Sequence, residues 1–447
     1  MILVFTHQIT NRVIYTLDLL LKQLLGLEYE LTTNKEEFTT SELSKFSYTH
    51  TALGNELFFE SASLLFETSL HEIKIVPINS LVEEIKLTGY FETKNCSTFP
   101  FDMFASAFLL VSRYEEYLAY QKDEHHRFHA TKSWAYRDGF LNSPMVNYYA
   151  LAIQHILGKL FPVLKFNKTS FEYISTIDVD MAYSYLYKGF KRNIGGAFKD
   201  FVNARYGQIV TRIKVLIQHE KDPFDTFEYL QSIQVKYGFK NIFFFLLANH
   251  SKHDKNTPHT LLPFRDLIQK ISSVHETGIH FSYQSHHKKN GYEIEKLRLS
   301  EITHHPTIQN RFHFLKFDIA NTYAKILAIG IKSDYSMGYA SHNGFRASIA
   351  NPFYFFDLNN NQPTELKIYP FMYMDATLQY YQKMSIEKAK KEIQELIKTT
   401  QLVGGNFISI WHNNSLCEQA EWRGWRELYE YTHEQALLLS KKETTLA

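Results

Sequence analysis

The stretch Ile174-Ser175-Thr176-Ile177-Asp178-Val179-Asp180-Met181 decides how this chain is read. Its first half is apolar and β-branched, the composition of a buried strand, and it runs straight into two carboxylates at spacing two. Side chains alternate along an extended chain, so Asp178 and Asp180 are expected to point to one side. In parallel sheets and barrels the C-terminal strand ends carry the site. Two acids there can share a metal and a proton-transfer task, whereas a single acid would read more simply as the cap of the next helix.

Working outward, the pattern downstream alternates strand and helix. Strands are predicted at 171–177, 241–248 and 278–281, and near 314–316, 328–331 and 407–411. Helical material is predicted up to about residue 237, then at 262–274 and 385–403. The last of these helices places Ile386, Ala389, Ile393 and Leu396 on one face, with Gly404 as its stop. Such alternation predicts a mostly parallel sheet, with closure into a barrel as one outcome. Upstream, the opening ~80 residues read as a small α/β layer: a first strand Ile2-Leu3-Val4-Phe5, a helix on Ile14, Leu17, Leu21 and Leu24 ended by Gly26, and strands at 27–31 and 72–78. A helical run at 102–120, a polar stretch at 122–144 and an amphipathic helix to about residue 160 follow. The pattern changes at Phe161-Pro162, so two domains are expected, 1–165 and 166–447.

Composition excludes several classes. With 45% hydrophobic and 21% charged residues the chain can bury a core and is not disordered. A formal charge of +1 gives no argument for a nucleic-acid partner or an anionic membrane. Two cysteines, Cys96 and Cys417, make neither a disulfide framework nor a thiolate zinc site. No stretch approaches a membrane span and the N-terminus lacks the basic region of a signal peptide, so a cytoplasmic location is expected. Seven of the 21 histidines lie within residues 275–313, where even spreading would put roughly two.

Two further strand ends carry histidine. In Gly278-Ile279-His280-Phe281 a short strand presents His280 near its end, and the loop beyond offers His286-His287. Neutral imidazole is a favoured zinc ligand, and an Asp-His-His set leaves room for water. His280 reads as a ligand; His286 reads equally as a ligand or as part of a solvated loop beside Lys288-Lys289. In Ile408-Ser409-Ile410-Trp411-His412 an apolar strand again ends in histidine. Arg311, Asp334-Tyr335 and Arg346 add charge nearby, each of which alone would read as a surface ion pair. Arg113, Asp123 and Arg127 of the first domain have no assigned chemistry.

The order of these motifs, an acid pair, Gly-x-His, Arg, Asp-Tyr and a late strand ending in His, resembles the polysaccharide deacetylases of the NodB-homology type over roughly residues 168–430. Asp334-Tyr335-Ser336-Met337-Gly338-Tyr339, Gly344-Phe345-Arg346-Ala347 and Arg113-Tyr114-Glu115-Glu116-Tyr117 are similar to a bacterial subgroup with an extra N-terminal domain. The resemblance implies an α/β fold with a C-terminal distorted (β/α) barrel, an N-terminal α/β domain of unassigned role and one divalent metal, usually zinc. It implies a hydrolase that removes N-acetyl groups from a carbohydrate. Asp178 would be the general base, Arg311 would hold it, and His412 would be the general acid oriented by Asp334. Asp180, His280 and His286 would hold the metal, and Tyr335 and Arg346 would contact substrate. The chain departs from the family pattern at Gln284, where the second histidine of the loop is expected, and in the one-residue displacement of the second acid to Asp180. Two alternatives stand beside this reading: a carbohydrate-binding barrel that has lost catalysis, and a related metal hydrolase of a non-sugar amide.

Overall fold

The computed structural model describes residues 1–94, 96–167 and 169–446. Lys168 and Ala447, which bound the resemblance and the second expected domain, lie outside the described residues. The chain begins with β1 (Ile2–Thr6), whose five residues are all buried. β1 is the centre of a parallel sheet with β2 (Tyr29–Thr32), β3 (Lys45–Thr49) and β4 (Leu57–Glu60), in the order β2-β1-β3-β4. Between β1 and β2 the helical turns bury Leu17, Leu21 and Leu24, and Gly26 ends them at φ +60°. The expected strand at 72–78 does not form. It finds no edge to pair with, and β-propensity without a partner strand holds no ladder. The pairing appears next along as a hairpin, β5 (Ile78–Val82) with β6 (Ile85–Gly89). The helical run expected at 102–120 stops at Val111, because Arg113 adopts a left-handed conformation (φ 54°).

The second sheet has nine strands: β7 (Glu172–Val179), β8 (Lys240–Phe245), β9 (Glu276–Phe281), β10 (Gln309–Phe312), β11 (Ser333–Asp334), β12 (Phe353–Asp357), β13 (Gln362–Ile368), β14 (Tyr373–Met374) and β15 (Asn406–His412). Their order is β12-β13-β11-β10-β9-β8-β7-β15-β14, and every pairing is parallel except β12 with β13. The protein is therefore a mixed α/β structure with parallel sheets, and among the described residues no ladder joins β12 to β14 to close a barrel. Two predicted strands move. The one expected near 314–316 is β10, ending at Phe312, because Phe314 and Leu315 both turn left-handed (φ 60° and 50°). Arg311 consequently lies within the strand. At 328–331 the chain is still closing the helix Ile319–Ala328. There Gly330 (φ +81°) lets the Ile331 N–H return to the Ile326 carbonyl, which puts β11 at Ser333–Asp334.

One apolar core runs unbroken from Ile2 through both sheets to Ala436. Ion pairs also bridge the expected boundary. Glu116 takes a bidentate contact from Arg346, and Arg113 bonds both Glu116 and the Tyr339 hydroxyl. Among the described residues no helix is long and apolar enough to cross a membrane.

Candidate active site

The site grows from the C-terminal ends of adjacent strands. In the ladder His412 of β15 stands opposite Asp178 of β7, and His280 of β9 stands opposite Arg311 of β10. β8 lies between these pairs and contributes Phe244, whose ring lies 4.6 Å beneath the Arg311 guanidinium. Gly278 makes that packing possible, since a Cβ there would come within 2.5 Å of the same ring. Arg311 donates from Nη1 to Asp178 Oδ1 at 2.8 Å and from Nε to the Tyr335 carbonyl at 3.0 Å. All of these groups are buried, so Asp178 has its counter-charge within the protein.

Asp180, His280 and His313 converge. One ligand atom from each lies within 4.8 Å of the others. His280 Nε2 is 3.5 Å from Asp180 Oδ1, and His313 Nε2 is 3.5 Å from Asp180 Oδ2. The far nitrogens are both tied back. His280 Nδ1 donates to the Arg311 carbonyl at 3.2 Å, and His313 Nδ1 donates to Asp254 Oδ1 at 3.0 Å. A carbonyl or carboxylate on Nδ1 leaves Nε2 as the lone-pair face, the usual outer support of a metal-binding histidine. Asp180 Oδ1 is buried and has no hydrogen-bond partner, which fits a cation ligand better than a structural carboxylate. An Asp-His-His set of this kind, with both histidines buried and the carboxylate half-buried, can hold a metal ion.

The electrostatics agree. Burial pushes the Asp180 carboxyl upward, but His313, His280 and His412 outweigh it and hold it well below the ordinary range. Burial lowers His313, yet Asp180 and Asp254 raise it above its ordinary value. His280 is pushed down to about 4, by burial first, against the pull of Asp178 and Asp180.

His412 faces the cluster, with Nε2 3.9 Å from Asp180 Oδ2. Its Nδ1 donates to Asp375 Oδ1 at 2.8 Å, and its backbone N–H donates to Asp375 Oδ2 at 2.8 Å. Burial opposes the charge on this imidazole, but Asp375, then Asp180 and Asp178, raise it to about 10. Asp178, Asp180, His280, His313 and His412 line a cavity of about 360 Å³ together with Phe312, Phe314, Tyr380, Tyr381 and Trp422. Arg127 also lines it. This arginine comes from the first 165 residues, and it donates to Asp123 and to the Phe314 carbonyl beside His313.

Several expected residues are placed elsewhere. His286 is not in the cluster; its ring stands against the Tyr292 hydroxyl and Phe312. The loop position that lacks a histidine, Gln284, instead donates its backbone N–H to Asp254, the residue that holds His313. Asp334 does not reach His412. Its carboxylate is consumed by Asn310, Tyr323 and Ser336. Neither Arg346 nor Tyr335 lines the cavity. Arg346 is locked onto Glu116, and Tyr335 packs between Phe244 and Tyr369 while lending its carbonyl to Arg311. His313, Asp375 and Asp254 are the residues that motif order did not single out. His313 lies in the histidine cluster, two residues past Arg311. Asp375 is the only charged residue between Lys367 and Lys383, an isolated acid in an apolar run.

Residues 2–162 match the model of a family of unknown function, DUF7033. No curated protein matches the chain. Among solved structures, the crystal structure of a "putative polysaccharide deacetylase" from Mycobacterium smegmatis is similar, with 14% identity, 60% of this chain and 85% of that chain covered, and a TM-score of 0.37.

Proposed function

We propose that this protein is a metal-dependent hydrolase that removes N-acetyl groups from a carbohydrate, in the manner of the polysaccharide deacetylases that its motif order resembles. The observation that carries the proposal is the convergence at one cavity of a metal-type triad with an arginine-held carboxylate on one side and a carboxylate-held imidazolium on the other. Asp180, His280 and His313 would hold a divalent ion, with zinc the natural candidate for an N,N,O set. When bound, such an ion polarises an acyl carbonyl and acidifies water.

The remaining work belongs to the chain. Asp178, held through Oδ1 by Arg311, accepts the proton of the attacking water through Oδ2, which is 3.7 Å from His280 Nε2. His412 carries a proton on Nε2 because Asp375 compensates its charge, and it delivers that proton to the departing amine. Acetate and a free amine are the products. The exposed rings of Tyr380 and Tyr381 at the cavity, with Trp422 behind them, offer apolar faces of the kind on which sugar rings stack. His313 answers the feature that favoured a non-catalytic binder, since it supplies the third ligand that the altered histidine loop lacks.

The division at residue 165 belongs to the same proposal, supported by the end of the family match at residue 162. In this division the first domain is more than an appendage, because its Arg127 forms part of the cavity wall. Acetate release from acetylated chitooligosaccharides, measured with and without added zinc, tests the function. Asp178→Asn is expected to cut turnover by about 10²–10⁴-fold while metal content stays at wild type. Absence of acetate release with any divalent metal would overturn the proposal.

A further inference from the structure

The connection from β7 to β8 runs from residue 180 to 239 and carries two consecutive helices, Gly189–Val202 and Tyr206–Leu216. Their amphipathicity is inverted. On the first helix Asn193 and Asp200 face inward, whereas Phe190, Ile194 and Phe198 face solvent at 81%, 52% and 68% exposure. The second helix turns Arg212 inward and leaves Val210 and Ile213 more than half exposed. The seam between the helices is polar. Arg212 donates to Asn193 at 3.0 Å and to Asp200 at 2.7 Å, and its guanidinium lies over the Tyr185 ring. Gly196 permits the close approach, since a Cβ there would meet the Arg212 guanidinium at 2.7 Å. A helix pair facing water would normally bury its phenylalanines and expose its charges. Here the polar pair fixes the hairpin and leaves Phe190, Ile194, Phe198, Phe201 and Val202 of the first helix all more than half exposed, a grouping of apolar side chains of the kind that marks an interaction surface.

The charge around this face is equally one-sided. Residues 188–217 hold seven Lys or Arg and one acid, Asp200, although the whole chain carries only +1. Since Asp200 is spent on buried Arg212 and Lys214 pairs with Glu220 just beyond the hairpin, Lys188, Lys191, Arg192, Lys199 and Arg205 remain around the apolar stripe. At the foot of the hairpin a cavity of about 250 Å³ is lined by Lys188, Arg192, His250 and Lys255, with no acidic side chain among its lining residues. An apolar stripe flanked by Lys and Arg, on helices of low overall hydrophobicity, has the pattern of a segment that lies in the headgroup region of a bilayer.

We infer that the hairpin 189–217 docks this protein on an anionic lipid surface. The phenylalanine face enters the headgroup–acyl boundary, and the lysines and arginines meet the lipid phosphates. The inference is independent of the catalytic proposal and involves no membrane span.

The test is sedimentation of the full chain with vesicles of equal parts phosphatidylglycerol and phosphatidylcholine, compared with phosphatidylcholine alone. The wild-type chain is expected to bind the mixed vesicles at low salt at least roughly tenfold more tightly than the neutral ones. Phe190→Ser with Phe198→Ser is expected to abolish binding. Lys191→Gln, Arg192→Gln and Lys199→Gln together are expected to remove its dependence on salt and on phosphatidylglycerol. Val235→Ser, an exposed apolar residue on the helix Phe227–Tyr237, is expected to change nothing. All the altered side chains are exposed, and an unchanged thermal melt verifies folding. Failure of the wild-type chain to bind the mixed vesicles overturns the inference. So does a dimer by light scattering that Phe190→Ser with Phe198→Ser dissociates, since a second copy would then be what covers the face.

Discussion

Replacing Asp375 by asparagine should lower the affinity of His412 for its proton, and Asp334→Asn should not. Asp375 is fully buried and accepts two 2.8 Å bonds from one residue, from the ring Nδ1 and from the backbone N–H of His412. Asparagine has one acceptor and one donor group, so whichever way the amide turns, an N–H of His412 faces an NH₂ group. The lost charge-assisted bond is worth about 1.5–3 kcal/mol, which corresponds to lowering the imidazolium by about one to two pH units. The sign follows from the direction of the perturbation. His412 is raised from its ordinary 6.5 to about 10, so its contribution to stability is full below pH 6.5 and is lost as pH rises through about 10. In Asp375→Asn that contribution is smaller and its loss is complete at lower pH, and any activity that needs protonated His412 falls off earlier on the alkaline side. The primary assay is NMR titration of the histidine side chains in the intact protein, which reads His412 with no substrate present; the alkaline limb of acetate release is the second readout. Asp334→Asn serves as the control, because it removes an equally buried carboxylate bonded to Tyr323, Asn310 and Ser336 and costs stability without touching His412. An unmoved His412 titration in Asp375→Asn, or an equal displacement in Asp334→Asn, would refute the reasoning.

Three further predictions follow from the same geometry. By metal analysis and titration calorimetry, His280→Ala and His313→Ala should each abolish stoichiometric zinc binding, whereas His286→Ala should leave it intact; zinc lost from His286→Ala and kept in His313→Ala would reverse the ligand assignment. Asp254→Asn should weaken zinc about 10–100-fold without abolishing it, because it loosens the Nδ1 support of His313 rather than removing a ligand. Glu116→Gln should destabilise the fold by about 3–5 kcal/mol in denaturant titration, because it leaves Arg346 buried without its carboxylate, while Arg113 keeps Glu115. A melting curve equal to wild type would show that this network does not bind the two halves together.

The residues legible in the sequence are those whose position follows from a strand ending. Asp178, Asp180, His280 and His412 each follow an apolar β-prone run, and parallel pairing brings such ends to one edge. Arg311 was legible as a residue but not as a strand member, because β10 ends earlier than propensity suggests. His313 was hidden by that same ending. Its place beside Asp180 depends on the left-handed turn at Phe314 and Leu315 and on Asp254 arriving from the loop after β8. The exchange of Asp334 for Asp375 has a topological cause. β11 stands five places along the sheet from β15, whereas β14 pairs with β15 directly and delivers Asp375 to His412. The order of strands along a sheet is a long-range outcome that local pattern does not encode.

The sequence by itself determined the alternation of strands and helices, the class of fold and the strand ends where chemistry gathers. Periodicity and β-branched composition act locally, and each strand carries its own signal. Only the tertiary structure decided which histidine joins Asp180 and His280, which acid bonds His412, and that Arg346 is spent on Glu116 rather than facing the cavity. It also decided that the charge balance of the whole chain conceals a basic, apolar hairpin between β7 and β8. Those outcomes depend on which buried group finds a partner across the fold, and a buried charge is satisfied by whatever the packing brings within reach, wherever in the chain that partner lies.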